Sequence, residues 1–348
     1  MTSFSIETMA SNEEIYEQIR TMRKDFKNDL KADDKRKSLE LEGSSLQKYK
    51  SVIKRIYKDL GLSEPLTPEL FVKEKDKIIA LLSTKPFSTR RHDYTALRVY
   101  TNDADYAQKL NEDNVSYREL TEKRERTPKQ IENWITRREI YKKLDILKIQ
   151  RDEAYMKLEQ GENLTNSDYQ AIQLYLLLLL SSDKYFPIAR ALDWIAFKVK
   201  NIDIEKDNYI SDDKTKLVFN TYKTAKSRGQ RVLDFSKYKK RNSSDFHFYS
   251  KKSADFIKQE ILKWISINPT DFLFFDKNGS QLNQVNITQR LNKIFDNRKI
   301  SINMLRNILL TDRQQKAIRM LQDAKAIMEG GGSSASMLNT YVKNLMLS

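Results

Sequence analysis

The stretch from Leu174 to Leu180, interrupted only by Tyr175, is the longest apolar run in the chain. A membrane-spanning helix needs about 20 apolar residues, so this run is too short to cross a bilayer and has to be buried by protein. It demands a domain large enough to surround a helix on all sides. Gly161 to Ser167 forms a polar break before it, and Thr165 is placed to cap the helix. Met1 to Asn12 lack the basic start and apolar middle of a secretion signal. The expectation is a soluble protein with no membrane partner.

Upstream of that run the pattern is helical. Residues 1–42 are charge-dense and poor in large apolar side chains, and read as a mobile N-terminal arm. Leu46, Tyr49, Ile53, Ile56 and Leu60 then recur at steps of three and four, one face of a helix that Gly61 is placed to end. Phe71, Ile78, Ile79 and Leu82 suggest a second helix, and Tyr94, Leu97 and Tyr100 a third after Pro86. Thr127-Pro128 reads as the opening of one long charged helix through Trp134, Ile140 and Leu144. Residues 43–160 thus form an all-α domain with a linker helix.

Beyond residue 200 the period changes to two. Leu217, Phe219 and Thr221 alternate with Val218, Asn220 and Tyr222, and a polar stretch ending in Gly229 leads to Val232, Leu233 and Phe235. This predicts a small antiparallel meander. Helical patterning returns over Phe256–Ile265, Val285–Phe295 and Ile302–Met328. The fold class is mainly α with a small antiparallel β-sheet (α+β), the second domain covering 165–348.

Charge narrows the partners. The 348 residues include 63 Lys plus Arg against 48 Asp plus Glu, a formal net charge of +15. Such a surplus draws a protein toward polyanions, of which nucleic acid is the commonest soluble one; a basic solvated surface is the alternative. There is no cysteine, and His92 and His247 are the only histidines, which excludes disulfides and zinc sites of the usual ligand types. The lack of disulfides fits an intracellular location.

Breaking a phosphodiester without a metal takes a nucleophile, cations for the non-bridging oxygens and an acid for the leaving oxygen. Arginine suits the cationic task, because its planar fork pairs with phosphate oxygens and stays charged. Arg190 follows the buried leucine run with Asp193 three residues on; the alternative is a plain helix-stabilising ion pair. Arg306 stands among Ile302, Leu305, Ile308 and Leu309, or is a surface arginine of an amphipathic helix. Lys223 lies near the end of the strand entering the hairpin, where an edge-strand charge is the bland reading. Tyr341 is one of 17 tyrosines, after a Gly/Ser stretch that also reads as a linker.

Taken in order, an Arg with an acid three residues on, a hairpin Lys, Leu-Arg in a helix and a Tyr near the C-terminus resemble the catalytic domain of the tyrosine recombinases and phage-type integrases. The resemblance covers about residues 165–345 and includes Asp271-Phe272-Leu273-Phe274-Phe275 followed by Asn278-Gly279. Residues 44–100 look like that family's helical core-binding domain through Ser45-Leu46-Gln47-Lys48-Tyr49. It implies that Arg190 and Arg306 clamp the scissile phosphate of double-stranded DNA, with Asp193 bracing the first arginine. Lys223 would protonate the 5′ oxygen and Tyr341 would form a 3′-phosphotyrosyl link, with no cofactor or metal. It also implies a homo-oligomer, dimer or tetramer, on DNA, encoded by a mobile element or virus and acting in cytoplasm or nucleus. A type IB topoisomerase and a non-catalytic DNA-binding relative share these features. The chain departs from the family's pattern around the second arginine, where Asn303 and Asn307 replace histidines, and at Gly332, before the tyrosine. Asn303 can still donate a hydrogen bond but takes no proton near neutrality.

Overall fold

The computed structural model describes residues 43–122, 125–239 and 246–329. The predicted arm at 1–42, the segment Gly330–Ser336 and Tyr341 lie outside the described residues. The chain divides into two compact units between Arg126 and Thr127.

The first unit is helical: α1 (Gly43–Asp59), α2 (Pro68–Lys73), α3 (Lys75–Ser83), α4 (Phe87–Thr101) and α5 (Ala104–Glu122). The apolar face read from α1 is buried at Ile53 and Ile56, and Gly61 takes the left-handed φ of +61° that ends the helix. The helix expected over residues 71–82 is two, hinged at Glu74, whose backbone N–H still bonds Leu70 O at 2.9 Å. Tyrosines fill much of this core. Tyr57 and Tyr106 are fully buried, and each phenol donates to a backbone carbonyl, Glu64 O and Phe71 O, at 2.7 Å. Asp93, also buried, is held by Arg55 at 2.7 Å and Lys85 at 3.4 Å.

The second unit begins earlier than the sequence suggests. The long helix read from Thr127 breaks at Asn133–Thr136, leaving α6 (Pro128–Glu132) and α7 (Arg137–Glu159). Thr136 accepts from the Glu139 N–H at 3.1 Å while the Glu139 carboxylate accepts from the Thr136 N–H at 2.7 Å, a capping box that starts a new helix. Far from being a linker, α7 buries Ile140, Leu144, Leu147 and Tyr155 in the second unit's core. It packs along α8 (Asn166–Leu180), the leucine helix, in which every residue from Ile172 to Leu180 is buried. Arg151 of α7 lies 4.3 Å over the Tyr175 ring and ion-pairs with Glu260, tying α7 to α11 (Lys251–Ile267).

After the one-turn α9 (Ala191–Ile195) comes a sheet in the order β1 (Phe197–Lys198), β2 (Asn208–Ile210), β3 (Lys216–Phe219), β4 (Arg231–Asp234). The expected meander corresponds to β3 and β4, with Phe219 opposite Arg231; β2, antiparallel to β3 with Tyr209 opposite Val218, adds a strand the pattern did not show. β1 pairs parallel to β2, so the sheet is mixed rather than antiparallel; two- and three-residue strands are too short to show alternation in sequence. The 271–273 segment lines the outer edge of β1, with Val199 N bonded to Asp271 O at 2.7 Å and Leu273 N to Phe197 O at 2.9 Å. The one-turn α10 (Ala225–Arg228) lies between β3 and β4, and α12 (Gln284–Ile294) and α13 (Ile302–Glu329) follow α11. The unit is mainly helical with one small sheet, an α+β architecture. No helix among the described residues is long and apolar enough to cross a membrane.

Candidate active site

The turn after α8 sets the first arginine. Phe186 is buried edge-on to Phe248 at 5.7 Å and to Trp194 at 6.1 Å, which anchors the chain on both sides of Arg190. Arg190 sits in extended backbone at the head of α9, and the Asp193 carboxylate accepts its N–H at 3.1 Å. Behind them Asn208 is fully buried and bonded on every side. Its amide donates to Asp193 O at 2.7 Å and Thr221 O at 2.8 Å, and its carbonyl accepts Thr221 N–H at 2.7 Å. One side chain thus joins the Arg190 turn to the end of β3, two residues before Lys223.

Arg306 comes from the first turns of α13, held by the buried Leu305, Ile308 and Leu309. Arg190, Asp193 and Arg306 line a single open cleft of about 660 Å³, together with Tyr222, Arg228, Arg231 and Phe246. Residues over a hundred positions apart in sequence are therefore brought to one surface. Among the described residues, four arginines line this cleft against one carboxylate, that of Asp193. Burial holds the Arg306 guanidinium below its ordinary pKa, the positive Arg190 and Arg231 push the same way, and Asp193 opposes them. Excess positive charge in the cleft favours an anion.

The arrangement departs from expectation at three residues. Asp193 does not ion-pair with the Arg190 guanidinium; its Oδ2 takes Arg231 Nη2 at 2.6 Å, and what it gives Arg190 is a backbone contact. Lys223 is exposed on the β3–β4 connection and is not among the residues lining the cleft. Asn303 is likewise exposed on α13 and does not line it. Arg228, Arg231 and Asn208 were not singled out in sequence. The signal for the two arginines is Arg228-Gly229-Gln230-Arg231, basic residues on either side of the glycine that closes the connection at φ +70°; no pattern marks Asn208.

No family model matches this chain. No curated protein matches it either. Among solved structures it is similar to the crystal structure of XerA recombinase at 9% identity and a TM-score of 0.27, over 94% of this chain and 88% of that one. A likeness of that degree carries no argument about function, which rests on the cleft.

Proposed function

We propose that this chain cleaves and rejoins DNA through a tyrosine, as a site-specific recombinase or integrase. The supporting observation is the convergence of Arg190 and Arg306, from separate elements, on one cleft whose described lining is rich in guanidinium and holds a single acid. In this reading the two arginines bind the non-bridging oxygens of the scissile phosphate and neutralise charge as it builds there. The Tyr341 oxygen, its phenolic proton lost to solvent, attacks phosphorus, the bond to the 5′ oxygen breaks, and Lys223 gives that oxygen a proton. The 3′-phosphotyrosyl link conserves the phosphodiester energy, so rejoining reverses the same steps without a cofactor. Lys223 sits on a connection whose base is fixed to the Arg190 turn by Asn208. On α1, Lys50, Lys54 and Lys58 recur every fourth residue and give the first unit its own row of cations for the duplex. Homo-oligomeric assembly on DNA, and origin in a mobile element or virus, belong to the same proposal.

The test is to trap a covalent complex on a pool of nicked duplexes, where loss of the short strand prevents religation. An adduct that maps to Tyr341 and vanishes in Tyr341→Phe, with binding retained, is the expected result. An adduct on another tyrosine removes the assignment, and strand exchange between two duplexes separates a recombinase from a topoisomerase. A second reading, a DNA-binding relative without chemistry, is favoured by the exposed positions of Asn303 and Asn307 away from the cleft lining. Duplex binding with no adduct from any form is its signature.

A further inference from the structure

We infer that Arg231 is a third phosphate-binding cation of the cleft, aimed by Asp193 at a backbone phosphate of nucleic acid. The inference rests on the DNA reading above and extends it to a residue outside the clamp. Arg231 opens β4, and its guanidinium carbon lies 4.1 Å from the ring centre of Phe246, 4.7 Å from Tyr222 and 4.9 Å from Phe219. These rings fix the plane of the group while leaving its edges to hydrogen-bond.

The way it is held is incomplete as a structural ion pair. An arginine placed only to bind a carboxylate commonly forms two parallel bonds to it. Here a single bond joins Nη2 to Asp193 Oδ2, while Arg231 Nε and Asp193 Oδ1 are both buried with no hydrogen-bond partner. Among the described residues, Asp193 is the only carboxylate in ion-pair distance of Arg231. A buried guanidinium N–H left without an acceptor costs stability, and the cost is recovered when an acceptor arrives. An acceptor can reach Arg231 from the cleft it lines, where its side chain is 26% exposed, and among the described lining residues Asp193 is the one acid beside four arginines. A phosphate diester supplies the missing charge and two acceptor oxygens. The aspartate thus positions Arg231 from the protein side and leaves its other donors for the ligand.

Duplex DNA of random sequence serves as the probe, with the full chain, and affinity is measured against salt. Each phosphate neutralised adds about 0.9 to the magnitude of the slope of log affinity on log salt. Arg231→Gln should lower that magnitude by about 0.9, and Arg231→Lys should restore it. An arginine with a purely structural role changes stability and leaves the slope alone, so an unchanged slope in folded Arg231→Gln overturns the inference. A second measurement needs no substitution: phenylglyoxal labelling of the wild-type chain, mapped by peptide mass. Duplex should protect Arg231, and equal labelling with and without duplex overturns the inference. A wild-type chain that binds duplex while failing either arm leaves the DNA reading standing; one that does not bind duplex removes both.

Discussion

Arg313 Nη2 lies 2.6 Å from Asp183 Oδ1 and 2.7 Å from its Oδ2, joining the helix that carries Arg306 to the turn that leaves the leucine helix. The same carboxylate accepts the Tyr249 phenol at 2.6 Å and pairs with Arg137 at 3.4 Å. Four elements, α7, the α8 turn, the segment before α11 and α13, meet on one buried aspartate. The junction thus joins the turn upstream of Arg190 to the helix that carries Arg306.

Asp183→Ala should therefore cost about 3–5 kcal/mol, since it strands buried cations without their partner. Asp183→Asn should cost less, because asparagine tolerates the left-handed backbone here, φ +55°, and still offers an acceptor. The measurement is urea unfolding followed by tryptophan fluorescence. Trp134, Trp194 and Trp264 all belong to the second unit, so the signal reports that unit alone. A loss under about 1 kcal/mol for alanine contradicts the account.

Asn208 makes an unusual ordering testable. Asn208→Ala removes the partner of two carbonyls and one N–H, one of the carbonyls buried, at a cost of about 3 kcal/mol. Asn208→Asp is closest in size yet should be at least as damaging, because a carboxylate cannot donate to the Asp193 and Thr221 carbonyls. Denaturation midpoints of the two variants decide it, and an aspartate form as stable as wild type would refute the bridging role.

Asp168 gives a pH dependence with a defined sign. Its hydrogen bond from Lys157, with those from the Thr165 hydroxyl and backbone, lowers its pKa to about 2. A folded-state value below the ordinary one means stability that is complete above about pH 4 and is lost as pH falls through about 2. The acid-range loss should be about 1 kcal/mol once solvent screening is allowed for, and Asp168→Asn should remove that part of the pH slope. Unfolding free energy from about pH 5 to about pH 2 on both proteins is the check, and equal slopes would count against it.

For Lys223 the expected outcome is chemical. Lys223→Ala should slow cleavage of ordinary DNA and spare a 5′-bridging phosphorothiolate, whose leaving group needs no proton. Equal slowing on both substrates assigns the acid elsewhere, with Lys226 of α10 the next candidate.

The cleft was legible in part. Arg190 and Arg306 stood out because a charge beside a dense apolar pattern needs an explanation, and each pattern marked a real buried helix. Arg231 did not, since at the head of a strand before Val232 it looks like any edge charge; only the fold sets Asp193 behind it. The helix pattern of α7 was readable while its allegiance was not. Ile140, Leu144 and Leu147 show that one face is buried, but periodicity does not say against which neighbour. β1 and β2 escaped notice because their pairing partners, not their own residues, define them.

The cover on β1 bears on how the chain emerges during synthesis. Phe197 and Val199 complete their backbone pairing with Asp271 and Leu273, residues made only after β2, β3, β4 and α11. Closing so long a loop is slow, and until it closes the sheet has an open edge. The sheet that frames Arg190 and Lys223 should therefore close late during synthesis. Truncated chains ending before Asp271 should expose a sticky strand rather than a smaller working unit.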